Sequence, residues 1–260
     1  MKKYWATGVA SLLMFAGLAI AQDAQPSSAQ DSGNTAKVEK VHGNQNSGGV
    51  EGRITKAEQI IDQLTDAKDS AIPEKILKDA KCVAIIPSMV KGGFVFGAEH
   101  GRGVASCRMN GRWSTPAFFT ATGGTWGAQI GVQGIDLVMV FRNQEGADKL
   151  LSGNFKVGGD VSAAAGPIGR DASASTDVKA ATAIVTYSRA KGAFIGATLD
   201  GVAIRPDKDS TIAFYGREID FKDLLTGKVA TTANARPFTR ALGKDFRDIR
   251  AEEATDAAAH

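Results

Sequence analysis

The sequence predicts an α+β domain built on a strongly curved antiparallel β-sheet or barrel, with N-terminal, inserted and C-terminal helices. Apolar residues recur at helical spacing near both ends of this domain and at a spacing of two in its middle. The predicted strands come in blocks instead of alternating with helices, which is typical of antiparallel sheets. Glycine provides 30 of the 260 residues, and glycines inside strands favour strong curvature.

The N-terminus has the pattern of a cleavable signal peptide, residues 1–21. Lys2 and Lys3 precede an apolar run that ends in the small-x-small sequence Ala19-Ile20-Ala21. The run is short and interrupted for a membrane span, although an uncleaved anchor helix is the alternative. We therefore expect a periplasmic or secreted protein after cleavage.

Three further segments follow. Residues 22–50 are predicted to be a disordered linker, because their polar composition buries too little apolar surface to offset the ordering entropy. The domain is expected over residues 51–250, and the Ala-rich tail 251–260 is expected to fray. Loss of two lysines with residues 1–21 changes the formal charge from +3 to 3 − 2 = +1. So small a charge argues against a nucleic-acid partner.

Helices are predicted where apolar residues share one face. The first runs from Arg53 to Asp66, and Pro73 is well placed to begin a short second helix. Asn143 is predicted to cap the inserted helix, which extends to Leu151. The C-terminal helical pieces are expected at residues 208–215, 220–225 and from about 235.

Strands are predicted from short apolar or alternating runs, at residues 82–86, 103–108, 117–122, 125–131, 135–141, 155–165, 181–188 and 193–204. The run 135–141 places Leu137 and Met139 on one face and Val138 and Val140 on the other. It is therefore expected to be a central strand that is covered on both sides.

Cys82 and Cys107 are the two cysteines of the chain. In an exported protein they can form a disulfide, and closing a loop of this length stabilises a fold by about 3 kcal/mol in the chain-entropy model. Two buried thiols are the alternative, and the sequence leaves both open.

Several enzyme classes are excluded by missing residues. Of three histidines, His42 lies in the linker and His260 at the terminus, so His100 is the one candidate base. No Cys or His pair has metal-ligand spacing, and the glycine spacings do not fit a nucleotide fingerprint. Asp136 lies inside an apolar strand, where we favour an acid that binds backbone amides or an arginine over a catalytic carboxylate. We therefore expect no enzyme activity, no cofactor and no metal.

The sequence feature that favours a binding function is a set of cations on glycine-containing turns. Lys91, Arg102, Arg170, Arg189 and Lys191 all stand at such turns, where side chains and exposed backbone amides can donate to a phosphate. These five residues are the predicted lipid-headgroup site.

The first helix offers a second candidate contact with a membrane. Ile54, Ile60, Ile61 and Leu64 form its apolar face, which could dip into lipid. Packing of the same face on the sheet is the favoured alternative, because the opposite face is as acidic as it is basic.

The ordered set of motifs resembles the SYLF-domain family. It comprises the runs 80–88 (AKCVAIIPS), 91–94 (KGGF) and 113–118 (WSTPAF), the glycines from Gly123 to Gly131, Asp136, and the runs 166–170 (GPIGR) and 187–192 (YSRAKG). The resemblance covers about residues 53–225. It implies a non-enzymatic module that binds membrane phospholipid, phosphoinositides in eukaryotic members, some of which also bind actin. Bacterial members are commonly exported or lipid-anchored.

The expected function is therefore phospholipid binding in the bacterial cell envelope. The main alternative is a structural or protein-interaction module of the periplasm, whose partner would be an envelope protein. A hydrolase that uses Asp136 and His100 is the third hypothesis. Scattered cationic turns would favour the protein-interaction alternative.

Overall fold

The computed structural model describes residues 49–66, 72–93, 96–126, 131–168, 182–190 and 193–245. The predicted signal peptide, the linker up to residue 48 and the tail 251–260 lie outside these residues. In the described part of the chain, no helix combines the length and the hydropathy that crossing a membrane requires.

The structure contains helices near both ends of the domain and one inserted helix. They are α1 (Val50–Asp66), α2 (Glu74–Lys78), α3 (Gln144–Ser152), α4 (Lys208–Tyr215), α5 (Phe221–Leu225) and α6 (Arg236–Asp245), with a 3-10 turn at Ala233–Ala235. The strands are β1 (Cys82–Gly93), β2 (Phe96–Met109), β3 (Arg112–Trp113), β4 (Ala117–Trp126), β5 (Gly131–Phe141), β6 (Phe155–Lys156), β7 (Ala163–Ala165), β8 (Ile184–Ala190), β9 (Ala193–Gly196) and β10 (Ala203–Pro206).

The strands form one strongly curled, open sheet, a half-barrel. Eight of them follow the order β6-β10-β4-β2-β1-β5-β8-β7, while β3 pairs with β2 and β9 with β8. The pairs are antiparallel except β7 with β8, which are parallel. This architecture confirms the predicted α+β class and its curved sheet.

Two of the predicted strands are broken by turns. The segment 155–165 forms β6 and β7, separated by a turn at Gly158, and 193–204 is interrupted at Gly201 before β10. Both glycines have φ near +76°, which L-residues with side chains rarely adopt. In contrast, β1 and β2 run further than predicted, because pairing within a sheet continues through their glycines.

Curvature has visible causes in the central strands. A Cβ atom at Gly101 would collide with Ile86, and one at Gly103 would collide with the ring of Phe119. Strand β1 is also bulged, because its register with both neighbours shifts around Ser88, whose φ is 56°. Such bulges bend and twist a sheet.

Helices cover part of each face of the sheet. We call one the α1 face, where α1, α2 and α6 pack, and the other the α3 face, where α3 and α5 pack. In β5, Leu137 and Met139 belong to the core of the α3 face, whereas Val138 and Val140 belong to the core of the α1 face. This confirms that β5 is a central strand, buried on both sides over residues 137–141.

A disulfide joins Cys82 of β1 to Cys107 of β2, which resolves the alternatives that the sequence leaves open. The two residues lie opposite each other in the β1–β2 ladder. We predict that replacing both cysteines by alanine lowers the free energy of unfolding by about 3 kcal/mol, because the unfolded chain gains the entropy of a loop of 25 residues. Urea denaturation of the variant and of the unmodified, oxidised chain measures this loss, and adding reductant to the unmodified chain should reproduce it. The same midpoint for the variant and the oxidised chain would contradict the prediction.

Candidate functional site

Three residues on neighbouring strands form a polar row on the α1 face. Arg102 of β2 lies opposite Thr120 of β4, and Thr120 lies opposite Arg205 of β10. They share this face because the residues beside them, such as Phe119 and Ile204, point into the core of the α3 face. From the strand spacing, the Cα atoms of the two arginines are about 10 Å apart. We call Arg102, Thr120 and Arg205 the arginine row.

Asp207 lies beside the row and is shared by two arginines. Its Oδ2 atom is 3.4 Å from Nη1 of Arg53 and 3.7 Å from Nε of Arg102. Its carboxylate also caps α4, accepting hydrogen bonds from the backbone N–H and the hydroxyl of Ser210. The side chain of Asp207 is 5% exposed, that of Arg53 12% and that of Arg102 57%. Arg102 is therefore the partner that remains open to solvent.

The charges of this group do not cancel. Arg53, Arg102 and Arg205 contribute three positive charges against the one carboxylate of Asp207, so the sum is 3 − 1 = +2. Arg205 is exposed, and no carboxylate of the described residues lies within ion-pair distance of it. The group is thus positively charged at a surface that solvent reaches.

Arg53 is held in place by α1 and by the core. Its guanidinium lies 5.6 Å from the ring centroid of Phe118 and donates to the hydroxyl of Ser210 at 3.1 Å. Burial lowers the pKa of Arg53, Asp207 opposes that shift, and the neighbouring Arg102 adds to it. An arginine stays charged after such a shift, so Arg53 keeps a fixed positive charge behind the row.

Beside the arginine row, residues of four strands are exposed on the α1 face. Gly134, Val90, His100 and Thr122 follow one another across β5, β1, β2 and β4, and all four are exposed. A Cβ atom at Gly134 would meet nothing within 4 Å, so packing inside the chain does not require this glycine. The arginine row therefore borders an exposed surface that a ligand can approach.

Lys91, one of the predicted headgroup-binding residues, lies on the other face of the sheet. It comes two residues after Met89, which points into the core of the α3 face. Its Nζ atom is 2.9 Å from Oε2 of Glu99, and the Glu99 side chain is 3% exposed. Because a buried carboxylate neutralises it on the opposite face, Lys91 cannot join the arginine row.

Arg189 is on the α1 face, but its charge is paired. Its Nε and Nη2 atoms donate to Oδ2 of Asp136 at 3.0 and 2.6 Å. The other oxygen of Asp136 accepts from the backbone N–H of Ser88 at 2.9 Å. This confirms the interpretation of Asp136 as an acid that binds an arginine and a backbone amide. Arg170 and Lys191 lie outside the described residues.

The predicted membrane-contacting face of α1 is inside the protein. Ile54, Ile60, Ile61 and Leu64 are between 0 and 3% exposed and belong to the core of the α1 face. Side chains that pack between a helix and a sheet cannot also contact lipid, so the membrane interpretation is wrong for the folded domain. The alternative, packing on the sheet, is the observed arrangement.

Arg53, Arg205 and Asp207 were not among the residues predicted from the sequence to form the site. One signal was present: Asp207 comes directly before the predicted helix 208–215, where an aspartate is a strong cap. Two sequence-distant arginines around that cap could not be inferred from spacing. In the described ranges, no three His, Cys, Asp or Glu residues are grouped to hold a metal ion.

Comparisons with known proteins place this geometry in context. Residues 122–245 match the family Ysc84, described as Las17-binding protein actin regulator. The chain is 35% identical over 178 residues to Protein YSC84 of Saccharomyces cerevisiae, a match covering 67% of this chain and 38% of that protein. It is 34% identical over 178 residues to LAS seventeen-binding protein 3 of the same yeast, covering 67% and 39%. It is 29% identical over 194 residues to SH3 domain-containing YSC84-like protein 1 of Bos taurus, covering 72% and 57%. The matches thus span between 38 and 57% of these relatives.

Proposed function

Since the chain belongs to the Ysc84 or SYLF family, we propose that its domain is a non-enzymatic module that binds membrane phospholipid in the bacterial cell envelope. The observation that carries the proposal is the arginine row beside an exposed part of the α1 face. Arg102 and Arg205 project there with a net charge of +2 in their group. Guanidinium groups bind phosphate oxygens through two parallel hydrogen bonds, and each cation near an anionic membrane contributes about 1 kcal/mol.

The proposed location follows from the N-terminal pattern. Cleavage after Ala21 would release the domain into the periplasm or the medium. The disulfide between Cys82 and Cys107 supports this location, because disulfides persist in oxidising compartments. The lipids that the domain would meet there are those of the envelope.

Flotation with vesicles tests the proposal. The chain from residue 22 onward is mixed with vesicles of phosphatidylglycerol and phosphatidylethanolamine, or with neutral phosphatidylcholine vesicles. We expect it to float with the anionic vesicles at low salt and to be released as salt screens the attraction. Equal recovery with both vesicles, or none with either, would contradict the proposal.

A protein partner is the second candidate. It is favoured by the description of the family, which names Las17 and actin as what its proteins bind or regulate. The separation of the predicted cationic turns also favours it, because Lys91 and Arg102 lie on opposite faces of the sheet. The arginine row would suit an acidic protein surface as well as a membrane. Co-purification of one envelope protein that is lost on reversing Arg102 and Arg205, without any response to vesicles, would favour this candidate.

A further inference from the structure

We infer that the arginine row is a site for a single phosphate group, bound over Thr120 by Arg102 and Arg205, and that Asp207 restrains this site by competing for Arg102. The inference rests on the proposed function for the source of the phosphate, a phospholipid headgroup. To that function it adds the place where the phosphate binds, the side chains that donate to it, and Asp207 as a competitor for Arg102.

The register supplies the geometry of the site. Thr120 is directly opposite both arginines, so its side chain lies between theirs, about 5 Å from each at Cβ. Arginine side chains are long enough for both guanidinium groups to meet above the residue between them. The hydroxyl of Thr120 makes a 3.4 Å hydrogen bond to the carbonyl of Arg205, a long contact that it can exchange for a phosphate oxygen.

The ion pairs on this face differ in how tightly they are made. Arg189 contacts Asp136 at 2.6 Å and is 21% exposed, whereas Arg102 is 3.7 Å from Asp207 and 57% exposed. Arg102 can therefore turn from Asp207 to a ligand, while Arg189 is held. The two ion pairs thus distinguish Arg102, which is free to bind a ligand, from Arg189, whose role is structural.

Asp207 remains paired when Arg102 moves. Arg53, which is 12% exposed, and the hydroxyl and backbone N–H of Ser210 all stay on its carboxylate. The release of Arg102 therefore leaves no buried carboxylate without a partner, which would be costly. The negative charge of Asp207 nonetheless attracts Arg102 and repels a phosphate, so it lowers the affinity of the site.

The substitution Asp207→Asn tests this restraint. Asparagine caps a helix as well as aspartate does, so α4 keeps its cap while the competing charge is lost. We expect the variant to bind phosphatidylglycerol vesicles roughly fivefold more tightly than the unmodified chain. Asp209→Asn is the matched control, because Asp209 is an exposed acid in the first turn of the same helix. It should change the affinity less than twofold.

The results of these measurements distinguish a failure of the proposed restraint by Asp207 from a failure of the proposed lipid-binding function. Equal affinities of the Asp207→Asn and Asp209→Asn variants, with binding by the unmodified chain, would overturn the restraint and leave the proposed function standing. Tight binding of inorganic phosphate by Asp207→Asn, without vesicle binding, would support the phosphate site and overturn the lipid source. Binding of neither probe by any variant would overturn both.

A second substitution tests the site independently of the α4 cap. Thr120→Val keeps the branched shape on β4 and removes the hydroxyl. We expect about threefold weaker binding of phosphatidylglycerol vesicles, the loss of one hydrogen bond. Unchanged binding by Thr120→Val, together with no gain in Asp207→Asn or with its failure to fold, would overturn the inference.

Discussion

Replacing Ile61 by alanine is expected to lower the free energy of unfolding by about 3 kcal/mol. Ile61 is fully buried in the core of the α1 face, so its truncation removes buried methyl groups and leaves a cavity. The loss should appear in urea denaturation as a lower midpoint with an unchanged slope.

The same substitution at an exposed isoleucine is the control. Ile195 is 52% exposed on β9, and Ile195→Ala should cost less than about 1 kcal/mol. Similar small losses at both positions would mean that the apolar face of α1 is not part of the core. The membrane-contacting role of that face would then have to be considered again.

Reversing both arginines of the row, Arg102→Glu with Arg205→Glu, is expected to weaken binding to phosphatidylglycerol vesicles at least tenfold. Each reversal replaces an attraction of about 1 kcal/mol by a repulsion. Both side chains are exposed, so the substitutions leave the core intact. Flotation over a range of lipid concentrations gives the affinities.

A matched double reversal separates site binding from net charge. Arg112 on β3 and Lys222 on α5 are exposed, and Arg112→Glu with Lys222→Glu changes the total charge by the same amount. The second pair should lose less than threefold. If both double variants lose affinity equally, the arginine row has no special role and the attraction belongs to the whole surface.

Local patterns were sufficient to predict the parts of the fold that depend on neighbours in sequence. The alternation of Leu137, Val138, Met139 and Val140 alone indicates a strand buried on both sides, because a strand places successive side chains on opposite faces. An acid within such a strand needs a partner, and this consideration correctly predicted the role of Asp136.

The candidate site depends on the register between neighbouring strands, which no single segment of the sequence determines. Lys91 and Arg102 both stand beside glycines, yet they project from opposite faces of the sheet. Arg205 reaches the row from a strand 85 residues beyond Thr120. The helical periodicity also could not show whether the apolar face of α1 packs on the sheet or contacts a membrane, because both interactions use the same apolar face.

The most direct test asks which face of the domain meets the membrane. Cys82 and Cys107 are the two cysteines of the chain and are joined, so one introduced cysteine can be labelled with a polarity-sensitive fluorophore. Thr122→Cys places the label on the exposed part of the α1 face, and Lys222→Cys places it on α5, across the sheet. With phosphatidylglycerol vesicles, the emission should move to shorter wavelength at position 122 and stay unchanged at 222. A shift at 222 without one at 122 would contradict the proposed membrane-binding face.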